Sequence, residues 1–312
     1  MRAISQDHLG GADVLHVATI PRPAPGPSEV LVRVVSTCLN PTDWVHRRVP
    51  GFLGDGSRVL GWDVAGVIEE VGLGVTLHDV GDPVFGMLPY PYGHGAAAEY
   101  VIAPARALTA APEGVDLSLL GAVPLAGLTA WQALIDTAGL EAGQRVLVHG
   151  AAGGVGHLAV QIAKARGAYV IGTATGPKHE LLRSLGADEM IDYQTTNVSD
   201  AVADVDVVLD SVGGDTAARS LPTLTHGGVI VSLALNTTTP IGETARAAGA
   251  SHRLMLVEHD HHGMNELALL IAEERLKPVI ATTVELFDIE EVRRAHQLGE
   301  TGHVTGKIVL QA

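Results

Sequence analysis

From Arg145 to His157 the chain reads Arg-Val-Leu-Val-His-Gly-Ala-Ala-Gly-Gly-Val-Gly-His, an apolar strand that ends in a cluster of glycines and passes directly into a helix. That order suits the binding of a phosphate group. Read against G-x-G-x-x-G, Ala151 takes the place of the first glycine, while Gly153 and Gly156 keep the register and Gly154 and Val155 complete the turn. Backbone N–H groups at the start of a helix over about 154–166, together with its dipole, would then face a pyrophosphate. Strand before and helix after are the context that gives this motif its meaning, and an ordinary tight strand-to-helix turn is the competing explanation.

A dinucleotide fold that prefers NAD carries an acid about 20 residues after the glycine motif, where it accepts hydrogen bonds from the ribose 2′-OH. Counting about that far from Gly153 reaches Thr173, and the stretch Gly-Thr-Ala-Thr-Gly-Pro over 172–177 contains no acid. Thr173 and Thr175 offer hydroxyls there. Lys178 follows Pro177 at the expected start of a helix, where the dipole disfavours a cation by roughly 0.3–1 kcal/mol and a bound phosphate would offset that penalty. The pattern predicts NADPH in preference to NADH by at least about tenfold in kcat/KM. Lys178 as a solvated surface residue is the plainer alternative.

The elements that must carry these residues follow from the hydrophobic pattern. Short apolar runs at Tyr169 to Thr173, Met190 to Ile191, Asp206 to Asp210 and Val229 to Leu233 alternate with helical patterns. Such alternation predicts βαβ units and a doubly wound parallel sheet covered on both faces. Residues up to about 115 differ: a proline-rich segment at Pro21 to Ser28 leads into strands at Glu29 to Ser36, Asp63 to Val71, Pro83 to Gly86 and Ala97 to Ile102, punctuated by Gly and Pro. Thr282 to Leu286 and Thr305 to Leu310 read as strands flanking a helix near 288–298 and returning to this first domain. The expected organisation is therefore α/β: a Rossmann domain over 116–279 and a β-barrel domain from 1–115 and 280–312.

Composition narrows the function. Lys plus Arg number 20 against 35 Asp plus Glu, so the net charge of −15 argues against nucleic acid or an anionic lipid surface as partner. The single cysteine, Cys38, rules out an internal disulfide and a cysteine-cluster zinc site. The N-terminus shows no signal-peptide core and no run of about 18 apolar residues occurs, so the expected location is the cytoplasm.

The joint order of Pro-Gly-Pro-Ser-Glu-Val-Leu-Val from Pro25, Asn40-Pro-Thr-Asp43, Gly61-Trp-Asp-Val-Ala-Gly66, Gly127-Leu-Thr-Ala130, Ala151-Ala-Gly-Gly-Val-Gly156, Asp210-Ser-Val-Gly213 and Gly306-Lys-Ile-Val309 resembles the zinc-independent branch of the medium-chain dehydrogenase/reductase superfamily, closest in pattern to its zeta-crystallin-like NADPH:quinone oxidoreductase group. The resemblance covers essentially the whole chain. It implies a GroES-like β domain with a Rossmann domain, NADPH as cofactor, and hydride transfer to a quinone or a conjugated carbonyl compound. It also implies that Asn40, Asp43 and Thr129 lie at the reacting centre, that Tyr193 reaches the 2′-phosphate, and that Ser232, Leu233, Ala234, Leu235 and Lys307 border the cofactor. On the residues alone, Asn40 can instead cap a turn, Asp43 serve local structure, Thr129 bond within a helix, and Tyr193 pack at an edge.

Zinc-containing relatives place a cysteine where this chain has Asn40 and a Gly-His-Glu run where it has Gly61-Trp62-Asp63. An amide and an indole are poor ligands for catalytic zinc, so no metal is expected, and acceptors that are already electron-poor are favoured. Val45 stands where many relatives carry a tyrosine or lysine, which leaves water, His46, Tyr90 or Tyr92 to deliver a proton. A trans-2-enoyl thioester reductase and a non-catalytic NADPH-binding redox sensor are the rival readings. The run His259-Asp-His-His262 reads as a polar loop whose Asp260 starts a helix rather than as a metal site. Arg47 is open between a substrate-cleft role and a solvent salt bridge. An apolar strand near 253–257 predicts an edge-to-edge homodimer.

Overall fold

The computed structural model describes residues 1–53, 58–233 and 241–312. Two compact units emerge: Met1–Leu128 with Glu258–Glu274 and Pro278–Ala312, and Thr129–Val257 with Arg275–Lys277. The first boundary therefore falls later than the strand pattern suggested. Residues 116–128 belong with the β unit because they are tied to it by polar bonds. Ser36 donates to the Leu117 carbonyl at 2.6 Å, and the Leu125 N–H donates to Asp63 at 2.6 Å. Helix His261–Ala272 also joins this unit. His261 Nδ1 bonds the Leu108 carbonyl at 2.9 Å, and Thr109 bonds Asn265. Asp260 caps this helix by accepting from the His262 and Gly263 N–H groups, as the loop reading expected.

The β unit is built on a seven-stranded sheet. Its path runs Ile280–Glu285, Lys307–Gln311, Glu29–Leu39, Asp63–Val71, Pro83–Met87, Leu108–Ala110, with Tyr100–Pro104 also paired to Glu29–Leu39. A second sheet joins His16–Thr19, Arg2–Gln6 and Arg58–Val59. The two ends of the chain thus meet in one sheet, as the terminal strand pattern predicted. Lys307–Gln311 lies antiparallel to Glu29–Leu39 with Ile308 opposite Leu39, a register that brings Lys307 to the end of the long strand, beside Asn40. Ile4, Leu15, Leu39, Leu286, Val292, Ile308 and Leu310 form an apolar core of this unit.

The second unit carries a six-stranded parallel sheet in the order Glu189–Ile191, Tyr169–Thr173, Arg145–His149, Val205–Asp210, Leu224–Ser232, Ser251–Leu254. All five neighbouring pairs are parallel, which is the doubly wound arrangement that the alternating pattern required. Leu147, Ile171, Val208 and Ile230, one from each of four central strands, are buried in one cluster. Strand boundaries moved where the sequence was read by apolarity alone: the expected strand near 253–257 is Ser251–Leu254, and Met255, Leu256 and Val257 follow it. Among the described residues no helix is long and apolar enough to cross a membrane.

Candidate active site

In the parallel-sheet unit, strand Arg145–His149 enters a turn in which Gly150 adopts φ +63°, and helix Gly156–Ala165 begins immediately after it. The Gly153 N–H donates to the Gly150 carbonyl at 2.8 Å, closing the turn. A Cβ on Gly156 would lie 2.2 Å from the Gly150 oxygen and 2.7 Å from the Ala151 Cα, so only glycine lets the helix start against the turn. Gly153, Gly154 and Val155 are partly exposed at the helix N-terminus, whereas Ala151 is buried and its N–H donates to the Thr173 carbonyl at 3.0 Å. Ala151 therefore supports the turn from beneath rather than facing a ligand. The turn and the ten-residue helix fit a pyrophosphate, because the first N–H groups of a helix have no partners within it.

Polar side chains stand at the carboxyl ends of four adjacent strands, where ligands bind in open α/β sheets. Ser220 donates to the Thr216 carbonyl, so its oxygen accepts from His149 Nε2–H at 2.8 Å, and His149 Nδ1 is left to accept from the Thr173 hydroxyl at 3.3 Å. Burial pushes His149 down to about 4 and holds it neutral. Thr173 is consequently not a free hydroxyl for a 2′-phosphate: it is buried and its proton is spent on His149. Asp210 accepts from the Val212 and Gly213 N–H groups at 3.0 and 2.9 Å and from Ser232 at 3.3 Å, while His252 Nε2 meets Ser232 Oγ at 3.0 Å. Ser232 is fully buried in that network, so its side chain shapes the strand end, and Leu233 follows at partial exposure. Ala234 and Leu235 lie outside the described residues.

Thr175 precedes a single 3-10 turn, Gly176–Lys178, which leads into helix His179–Ser184, and Tyr193 is exposed beyond strand Glu189–Ile191. The expectation that no acid stands near this turn is corrected. Asp192 reaches it from the neighbouring strand and accepts from the Gly176 N–H at 2.9 Å. Parallel pairing of Thr173 with Ile191 brings the two strand ends level, a relation invisible along the chain. Thr129 is buried within helix Pro124–Trp131.

In the β unit, Asn40 caps helix Pro41–Arg48 and Pro41 holds its first position. Asp43 turns back so that its Oδ2 accepts from the Asn40 N–H at 2.7 Å. The Asn40 side chain is fully engaged: Nδ2 donates to Asp63 at 2.6 Å and to the Cys38 carbonyl at 3.3 Å, and Oδ1 accepts from Lys307 at 2.5 Å. Two expectations change here. Asn40 has no spare N–H for a developing oxyanion in this arrangement, and Lys307, expected beside the cofactor, is buried on Asn40 and on the Leu39 carbonyl at 3.4 Å.

Two carboxyls and one ammonium thus share a buried patch. Burial pushes Asp43 up to about 7, with the nearby Asp63 adding to the rise and the Asn40 N–H and Lys307 opposing it. Burial likewise raises Asp63, against Lys307 and its own hydrogen bonds. Cys38 is pushed up to about 12 by burial and donates to the Ile308 carbonyl at 2.8 Å, as a small buried residue of the strand.

A second polar chain runs beside this patch. Burial lowers His46. Its Nδ1 lies 2.9 Å from the Thr42 carbonyl, which can only accept, so the ring carries its proton there and Nε2 accepts from the Phe52 N–H at 3.4 Å. Thr42 Oγ1 lies 3.0 Å from the same Nδ1 and donates to Tyr90 Oη at 3.1 Å, which leaves the Tyr90 hydroxyl proton to point elsewhere. Tyr90 packs edge-on to Trp62 at 5.5 Å and to Phe52 at 6.4 Å. The Trp62 indole donates to the Pro91 carbonyl at 3.1 Å, and Tyr92 is exposed. Arg47 is not a solvent-facing salt bridge: it is fully buried and paired with Glu300 of helix Ile289–Glu300.

A GroES-like dehydrogenase domain with a dinucleotide-binding parallel-sheet unit defines the class. The alcohol dehydrogenase GroES-like family matches residues 26–113 and the zinc-binding dehydrogenase family residues 185–310. A chloroplast envelope quinone oxidoreductase homolog of Arabidopsis thaliana is 32% identical over 97% of this chain and 95% of its own length. The NADPH-dependent alkenal/one oxidoreductase of the same plant's chloroplast is 34% identical over 99% of this chain and 79% of its own. The quinone oxidoreductase structure from Coxiella burnetii superposes with a TM-score of 0.91 at 34% identity, covering 100% of this chain and 99% of that one. The chain is an oxidoreductase that belongs to the medium-chain dehydrogenase/reductase superfamily, in its group of quinone oxidoreductases and enone reductases.

The Asp43 carboxyl makes a signed prediction. Its folded value near 7 stands above the ordinary carboxylate value of about 3.9, so the folded chain binds the extra proton and this group's contribution to stability falls as pH rises from about 4 to about 7. His149, held near 4, and His296, pushed down to about 3 by burial with Arg47 adding to the fall, act in the opposite sense, so the effect is read as a difference. The unfolding free energy of the unmodified protein minus that of Asp43→Asn should decline between pH 5 and pH 8 in urea titrations. A flat difference would show that Asp43 ionises normally.

Proposed function

We propose that this chain reduces quinones or conjugated carbonyl compounds with NADPH, without a metal at the reacting centre. The observation that carries this reading is the donor set around Asn40. Where a zinc dehydrogenase needs sulfur and imidazole ligands, this chain presents an amide bound to Asp63 and Lys307 and an indole bound to a carbonyl. Without a Lewis acid, substrates that are already electrophilic are the suitable acceptors. The cofactor, when bound, supplies the hydride. The chain's own residues do the rest: Gly153, Gly154, Val155 and Gly156 receive the pyrophosphate, and Thr175, Lys178 and Tyr193 surround the 2′-phosphate. The names of the relatives, a quinone oxidoreductase homolog and an alkenal/one reductase, support both acceptor classes.

NADPH oxidation with 1,4-benzoquinone or 9,10-phenanthrenequinone is the direct test. Turnover should survive dialysis against a strong chelator and favour NADPH over NADH by at least about tenfold in kcat/KM, with Lys178→Glu eroding that preference. Tight cofactor binding with no turnover over a panel that includes enones and enoyl thioesters would replace the enzyme by a redox sensor.

Reduction of an enone also consumes a proton, and Tyr90 is the group we assign to deliver it. Its hydroxyl accepts from Thr42, which His46 holds in place, so its own proton is the one that the chain leaves available. Tyr90→Phe should lower kcat for enones by about 10²-fold or more, the lower end of what a positioned acid supplies, and affect quinones less. Equal loss on both substrates would assign Tyr90 to packing.

The chain pairs with a second copy through the outermost strand Ser251–Leu254, which exposes Leu254 and is followed by the exposed Leu256. Light scattering at micromolar protein should give a dimer mass, and Leu256→Lys should dissociate it. A monomer in the unmodified protein would contradict the pairing.

A further inference from the structure

Strands Tyr169–Thr173 and Glu189–Ile191 end level, with Thr173 opposite Ile191 and the Ala174 N–H donating to the Ile191 carbonyl at 3.1 Å. The next residue on the second strand is Asp192, whose carboxylate is clamped on both oxygens. Oδ2 accepts from the Gly176 N–H and Oδ1 from the Gln194 N–H, each at 2.9 Å. The Asp192 backbone oxygen accepts in addition from the Thr195 and Thr196 N–H groups at 3.2 and 3.0 Å. A carboxylate held by amides from two separate turns cannot swing away when a ligand arrives. Asp192 itself is partly exposed, so its charge is not sealed off from a ligand at this turn.

The turn that it holds begins where a dinucleotide fold presents the ribose 2′ position, about 20 residues beyond the glycine motif. A 2′-phosphate brings close to two negative charges to that point at neutral pH, by analogy with other phosphate monoesters. Lys178, the last residue of the same 3-10 turn, attracts it. Asp192 is fixed on Gly176, two residues before Lys178 in the sequence of that turn, and repels it. The His179 ring is occupied on the Ala174 carbonyl at 3.0 Å. Discrimination between the two cofactors is a difference of affinities, and here it is set by opposed charges on one short turn.

We infer that Asp192 is a specificity-determining residue, a clamped negative charge that weakens 2′-phosphate binding and holds the NADPH preference below what Lys178 alone would give. The inference rests on the NADPH reading above and adds to it a residue on a neighbouring strand that opposes the preference.

Binding to the cofactor-free protein tests it without turnover. Isothermal titration with 2′,5′-ADP and with 5′-AMP isolates the 2′-phosphate, and NADPH and NADH are titrated alongside. Asp192→Asn keeps an oxygen for Gly176 and removes the charge. It should tighten 2′,5′-ADP and NADPH by about three- to tenfold and leave 5′-AMP and NADH within about twofold, the size expected of one screened charge at a partly exposed site. Asp192→Ser should move the ratio in the same direction, and the gain should shrink at about 0.5 M salt. An unchanged ratio, or an equal loss for all four ligands, overturns the inference and assigns Asp192 to the turn alone. The cofactor reading is judged separately, by the ratio in the unmodified protein and its response to Lys178→Glu. Equal binding of 2′,5′-ADP and 5′-AMP there, unaltered by Lys178→Glu, overturns that reading instead.

Discussion

The contact on which the β unit's polar centre depends is the one between the Lys307 ammonium and the Asn40 amide. Both are buried, and Asn40 passes the contact on to Asp63, whose other oxygen holds the Leu125 N–H. Four separate stretches of chain are joined in this way: the end of strand Glu29–Leu39, strand Asp63–Val71, the start of helix Pro124–Trp131, and the C-terminal strand. Removing one partner from such a cluster leaves an uncompensated buried charge, which typically costs about 3–5 kcal/mol. The position that a zinc enzyme would use for a ligand is here a structural amide, and the cation is supplied by the chain itself.

That arrangement also explains the proton balance. Two carboxyls face one ammonium in a buried setting, so full ionisation would leave a net buried charge, and burial raises both Asp43 and Asp63 against it. The thiol of Cys38 cannot contribute, since burial keeps it protonated. The buried quartet stabilises the helix start at Pro41, and the same helix carries Thr42 and His46, which set the direction of the Tyr90 hydroxyl.

The strand ends of the parallel sheet obey a similar economy. His149, Thr173, Asp210 and Ser232 look like a row of ligand-binding groups, but most of their hydrogen-bonding capacity is used on one another and on the backbone. They make a rigid rim whose backbone and glycine turn can receive a phosphate. In the cofactor reading proposed above, the side chains assigned to discriminate between ligands lie on the more exposed turns, at Lys178, Asp192 and Tyr193.

Much of this was legible along the chain. Alternation of short apolar runs with helical patterns determined the parallel sheet, because a strand buried on both faces must be apolar throughout. The glycine spacing determined the tight strand-to-helix turn, because Gly156 is needed wherever a helix starts in contact with the Gly150 carbonyl. Asp260 announced the helix that it caps. What the sequence could not determine were relations between residues distant along it. Lys307 meets Asn40 only through the antiparallel register of the terminal strand, Arg47 is buried only because helix Ile289–Glu300 supplies Glu300, and Thr173 loses its hydroxyl to His149 across a strand pair. Asp192 shows the physical reason most plainly: a search for acids along 172–177 finds none, yet parallel pairing carries a carboxylate to Gly176 from the next strand. Local pattern decides which elements form, while charge neighbours are decided by sheet register, which only the folded chain possesses.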